Sequence, residues 1–156
     1  MIHVIKGIFL AGLATVLMMS SAHATNPDNQ GWVVKDAVGS VDETADKLVA
    51  IIENAPPKLF ARVDHAAGAK NINQELPDSV MVMFGAPAIG TPIMQSNIRA
   101  GLDLPIRVLI WDEGGQTKIG YLDPAALAER YKVDGADKAL KQMTGALNKF
   151  TDGAAK

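Results

Sequence analysis

The sequence predicts an α+β domain, and three observations carry that expectation. Strand-like segments alternate with segments of helical spacing along residues 32–152. Two of the strands, Ile106 to Trp111 and Lys118 to Leu122, are separated only by Asp112-Glu113-Gly114-Gly115-Gln116-Thr117, a hairpin signal. The chain has 156 residues, 48% of them hydrophobic, which suffices for one packed core. The expected architecture is a single two-layer domain: a mixed, partly antiparallel sheet of about five strands covered by helices.

Each element has its own local reason. Trp32 to Val38 reads as the first strand. Ser40-Val41-Asp42-Glu43 is a Ser-x-x-Glu capping box, in which each end satisfies a free backbone donor of the other. Val41, Ala45, Leu48, Val49 and Ile52 then recur at helical spacing as far as Asn54, and Pro56-Pro57 stops the helix. Lys58 to Val63 is the second strand. Asp64 caps a short helix beginning at His65. Val80 to Phe84 is apolar on both faces and is placed as a buried central strand.

Gly85 to Gly90 is read as a loop, with Thr91 as cap and Pro92 at the first position of the next helix. After the hairpin, Asp123-Pro124 opens a helix to Tyr131, and Asp134-Gly135 breaks it. Ala136, Leu140, Met143, Leu147 and Phe150 mark a last amphipathic helix.

The beginning of the chain reads as an address. Lys6, with His3, marks a positive region; Ile8 to Met19 is apolar; Ser20 to Ala24 supplies an Ala-x-Ala cleavage site. The apolar run is shorter than the roughly 20 residues that span a bilayer. Residues 1–24 are thus expected to be a signal peptide cleaved after Ala24, residues 25–31 a disordered leader, and the mature protein periplasmic or secreted, with no membrane segment left.

Composition excludes several classes. With no cysteine there is no disulfide framework, thiol nucleophile or thiolate metal site. A formal charge of −2 argues against a nucleic-acid surface. The Gly85-to-Thr91 loop has the glycine spacing of a phosphate-cradling loop. It lacks the Lys-Ser/Thr pair after the second glycine, so no nucleotide cofactor is expected.

The remaining candidates are few. Asp64-His65 sets a histidine beside a carboxylate at a helix start, where it can act as a base or a ligand, or simply as part of a cap. His65 is the one histidine left once His3 and His23 go with the signal. Met94 stands next to a loop, so His65 with Met94 is the one soft-metal pair, a copper-handling alternative. A hydrolase alternative takes Thr91 or Ser96 as nucleophile, His65 as base and Asp64 or Asp103 as orienter, though no Gly-x-Ser-x-Gly elbow occurs.

Several motifs in order resemble the domain-of-unknown-function 302 family. Arg62-Val63-Asp64-His65-Ala66-Ala67 is similar to its Asp-His-Ala-Ala segment. Phe84-Gly85-Ala86-Pro87 and Gly90-Thr91-Pro92-Ile93-Met94 are similar to its Phe-Gly-Asn-Pro loop and Gly-Thr-Pro-Leu-Met turn, with Ala86 where the family often has Asn. Asp103-Leu104-Pro105, and Tyr121 before Asp123-Pro124, match its later signatures. The resemblance covers Phe60 to Tyr131 and implies a compact, often secreted α+β domain with no established activity.

The preferred reading is a non-enzymatic module that binds a small polar or anionic ligand, or a periplasmic protein. Asp64, His65, Gly85, Pro87, Thr91, Met94, Asp103 and Tyr121 are expected to converge on one pocket, because binding sites gather in loops at the ends of elements. In it His65 and Tyr121 are the polar anchors, and a helix start at Thr91 receives the anion. A face of Trp32, Trp111 or the last helix is the candidate homodimer surface.

Overall fold

The computed structural model of the protein describes residues 31–156. The expected signal peptide, and the leader up to residue 30, lie outside the described residues. Five strands, β1 (Trp32–Asp36), β2 (Lys58–Asp64), β3 (Ser79–Gly85), β4 (Ile106–Glu113) and β5 (Gln116–Leu122), form one sheet in the order β1-β5-β4-β3-β2. Five helices accompany them: α1 (Val41–Glu53), α2 (His65–Lys70), α3 (Pro87–Ser96), α4 (Pro124–Tyr131) and α5 (Asp137–Ala154). A 3-10 turn, Ile98–Leu102, lies between α3 and β4.

The α+β class holds. Every ladder is antiparallel, where the sequence led us to expect a partly mixed sheet. The helices α2 and α3 each return the chain to an antiparallel neighbour, whereas α1 carries it from β1 at one edge of the sheet to β2 at the other.

Strand periodicity decides where the core sits. The register aligns Val33, Tyr121, Val108 and Val82 in one row across the sheet, and Ile119, Ile110 and Val80 in the next. All of these except Val33 are buried, together with Ala45, Leu48 and Ile52 of α1 and Met143, Leu147 and Phe150 of α5. Residues on the other side of the same strands, such as Met81, Met83 and Leu109, are only half-buried, and Trp32 and Val34 are exposed. β3 is therefore central but covered on one side, not on two as its composition suggested.

Local signals act where they were read. Ser40 Oγ accepts from Glu43 N–H at 3.2 Å, and Glu43 Oε2 from Ser40 N–H at 2.9 Å, completing the capping box. Asp64 Oδ1 accepts from Ala67 N–H at 2.8 Å at the start of α2. The hairpin turns at Gly114 and Gly115, whose φ of 63° and 91° suit glycine at both positions of a two-residue turn. Gly120 answers a different need. A Cβ there would lie 3.0 Å from the Trp111 ring and 3.1 Å from the Val33 carbonyl oxygen, so its bare backbone lets the indole lie flat on the sheet.

One helix begins earlier than expected. α3 starts at Pro87, leaving Thr91 and Pro92 inside it. Both prolines satisfy the geometry of a first helical position, and the chain uses the first. Pro92 has no N–H to give to the turn before it, a cost that the packing of the fully buried Ile93 offsets.

Thr44 of α1 is fully buried, and its Oγ1 has no hydrogen-bond partner among the described residues. Thr44→Val keeps the shape and removes an unpaired hydroxyl. It is expected to raise stability by about 1 kcal/mol, read as a higher denaturant midpoint with an unchanged slope. Gly120→Ala is expected to lower stability by about 1–3 kcal/mol, because the Val33 backbone cannot retreat, and to shift tryptophan emission to the red as the Trp111 ring lifts into water.

Candidate functional site

Where β3 ends and β4 begins, Phe84 pairs with Ile106 at the rim of the sheet. α3 leaves β3 directly at this point, and α5 passes behind it. The gap between them is an open pocket of about 290 Å³. Ile89, Gly90, Thr91 and Met94 of α3 line one side, Met143, Ala146 and Leu147 of α5 another, and Leu104 and Pro105 a third. Phe84 closes the inner end, its ring 5.9 Å from that of Phe150.

Phe60 reaches this pocket through an irregularity in β2. Leu59 pairs with Phe84, but Ala61 already pairs with Met83, so one extra residue is inserted at Phe60. The bulge lets Leu59 pack on the core while Ala61 and Val63 fall on the opposite face, and it frees the Phe60 ring to line the pocket. Gly90 keeps the helical wall low: nothing stands closer to its missing Cβ than Met94 Cε at 3.9 Å and Leu104 Cδ1 at 4.0 Å.

The structure brings together Gly85, Pro87, Thr91 and Met94, all of which line this pocket. It does not bring the other four there. Asp64 pairs with Val80, at the far end of β3 from Gly85, and the run between them, at about 3.4 Å per residue, separates His65 from the pocket by roughly 17 Å. His65 is exposed and opens α2. The copper alternative through His65 and Met94 and the hydrolase alternative through His65 and Thr91 or Ser96 both fail on that separation. Ser96 Oγ is moreover engaged, accepting from the Asp134 N–H at 2.8 Å.

Tyr121 is a core residue, 2% exposed. Its hydroxyl donates to Asn148 Oδ1 at 2.8 Å, and Lys35 Nζ stands 5.8 Å from its ring centre. Burial, followed by the charge of Asp123, pushes the phenol up to about 12, so it stays protonated and serves as a strut to α5. His65 and Tyr121 are three strands apart, roughly 14 Å at about 4.8 Å per strand. The paired polar anchors expected from the sequence therefore do not exist.

The expected anion seat is also corrected. Thr91 stands in the second turn of α3. At the true start, Pro87 has no N–H, and the N–H groups of Ile89 and Gly90 both donate to the Ala86 carbonyl, at 2.9 and 3.0 Å. Too few free donors remain to hold an anion.

Asp103 organises a cluster of its own, which the sequence reading missed. Its Oδ1 accepts from Arg107 Nη2, and its Oδ2 accepts from Arg130 Nη1 at 2.8 Å and from the Tyr131 hydroxyl at 2.7 Å. Burial pushes the carboxyl up. The hydrogen bonds from Tyr131 and Arg130, with the charges of Arg130 and Arg107, outweigh that and hold it below its ordinary 3.8. The cluster ties the segment before β4 to the end of α4, and Asn97 Nδ2 adds a bond to the Tyr131 carbonyl at 2.7 Å.

A carboxyl held low in the folded state contributes stability that is complete above pH 3.8 and lost as the pH falls through its folded value. Asp103→Asn is expected to cost about 2 kcal/mol at neutral pH. It should also flatten the fall in stability below pH 4 relative to the parent, measured by denaturant titration at stepped pH.

Comparison with known proteins agrees with this fold. Residues 33–150 match the family model described as Domain of unknown function DUF302. The crystal structure of an uncharacterized conserved DUF302 protein from Bacillus stearothermophilus superposes with a TM-score of 0.64 at 18% identity, over 80% of this chain and 95% of that one. The chain is also 38% identical over 130 residues to proteins named Fluoride-specific ion channel FluC 1 in Brucella suis and in Brucella abortus. Those matches cover 80% of this chain and 51% and 48% of the two relatives, so the chain spans about half the length of the curated relatives it matches. Among the described residues, no helix is long and apolar enough to cross a membrane. With most of its length accounted for by the family model, the chain belongs to the DUF302 family.

Proposed function

We propose that this protein is an exported, non-enzymatic binding module that takes a small, largely apolar molecule into the pocket between α3 and α5. One observation carries the reading. Among the residues lining the pocket, the single polar side chain is that of Thr91, at the exposed edge. Such a lining rewards burial of hydrocarbon and offers a guest one hydroxyl to orient against.

Two methionines, Met94 and Met143, face the space, and their unbranched side chains adapt to different shapes. At about 290 Å³ the pocket suits a single ring or a short branched chain. This revises the ligand chemistry expected from the sequence, from polar or anionic to apolar. The Brucella channel names belong to longer proteins, of which the match covers 51%, and a hydrocarbon lining offers fluoride no set of hydrogen-bond donors.

The test is ligand-observed NMR of the protein as recovered from cells, against small neutral compounds such as toluene, indole and cyclohexanol. Saturable binding is expected. Ala146→Phe, which places a ring in the pocket from α5, should weaken it by about tenfold or more while leaving the melting temperature within a few degrees. Equal binding by the parent and this variant, or no binding by the parent, would overturn the proposal.

A further inference from the structure

The geometry points to a second, separate binding site for a monoanionic amphiphile, on the side of the sheet that α1 and α5 leave open. A cleft of about 280 Å³ lies there between the sheet and α4. Met81, Leu109 and Leu122 form its apolar floor, and Trp32 stands beside them, 46% exposed. Arg107 and Arg130 line it as well, with Asp103 between them.

The charge balance of this cluster is what suggests a guest. Two guanidinium groups share one carboxylate, so the trio carries one net positive charge. Asp103 is 11% exposed and its two oxygens are already taken, by Arg107 on one side and by Arg130 and Tyr131 on the other. The arginines are 47% and 51% exposed, and among the described residues no other carboxylate lies within ion-pair distance of either. Each guanidinium has five N–H donors, most of them without a partner among the described residues. A fork of that kind accepts a second carboxylate or a sulfonate.

An inorganic anion would use the arginines and leave the apolar floor wet. A neutral hydrocarbon would cover the floor and leave the charge unanswered. A short alkyl or aryl chain ending in a single carboxylate satisfies both, and the cleft has room for one such chain.

Tryptophan emission reads the site directly. The chain has 2 tryptophans, so Trp111→Phe leaves Trp32 as the one reporter. Octanoate is expected to shift Trp32 emission to the blue and to saturate, octanol to bind at least tenfold more weakly, and phosphate not to compete. Neutralising the whole cluster together (Asp103→Asn, Arg107→Gln, Arg130→Gln) leaves no buried charge without its partner. It should weaken octanoate tenfold or more and leave octanol unchanged.

Should that variant not fold, salt decides on the protein with its cluster intact: raising ionic strength must weaken octanoate and spare octanol. Equal affinity for octanoate and octanol, displacement by phosphate alone, or octanoate binding that survives neutralisation would each overturn the assignment. Ala146→Phe separates the two sites. Octanoate binding lost in that variant belongs to the α3–α5 pocket and removes the second site, whereas binding retained there stands even if the apolar pocket proves empty.

Discussion

Everything in this molecule rests on one face of one sheet being hidden. In an antiparallel sheet the side chains alternate, so a strand such as β3 must commit one set of residues to the core and present the other elsewhere. Val82, Val108, Ile110 and Ile119 are fully buried on the helix side, opposite the equally buried Leu48 and Ile52 of α1. Each contributes on the order of 2 kcal/mol by leaving water. A one-residue slip of any strand would turn that set outward. The register is thereby fixed, and with it the meeting of Phe84 and Ile106 from which the pocket is built.

The two cavities lie on either side of the segment that leads into β4. α3 and α5 diverge where the sheet runs out, leaving the apolar pocket between them. The segment 103–107 separates that pocket from the charged cleft. Leu104 and Pro105 line the first, Asp103 and Arg107 the second, and Ile106 borders both. Asp103 holds this wall in place through α4, so a single carboxylate positions the boundary between two cavities of opposite character. The two chemistries are adjacent along the chain and divided in space.

What the sequence disclosed, and what it hid, follows the range of the interactions involved. The capping box at Ser40, the cap at Asp64, the glycines of the hairpin and the core spacing of α1 are all decided within a few residues, and each was legible. Two competing proline starts, Pro87 and Pro92, cannot be ranked locally, and the start of α3 was misplaced for that reason. The site depends on longer-range facts. His65 was grouped with Thr91 because both lie at element ends, but opposite ends of antiparallel strands lie far apart. Tyr121 looked like a rim residue because Asp123-Pro124 follows it, whereas the pairing of β5 with β1 and β4 buries it. Arg130 and Tyr131 meet Asp103 only through the fold, and no spacing in the chain announces that meeting.

The bulge at Phe60 has a consequence beyond the pocket it helps to line. β2 is a border strand, and a straight border offers an unbroken series of amide and carbonyl groups onto which another polypeptide can add itself. The inserted residue interrupts that series and twists the strand locally, so a foreign strand cannot continue in register past it. The same deformation that turns the Phe60 ring to the pocket thus guards the protein against uncontrolled assembly with strangers.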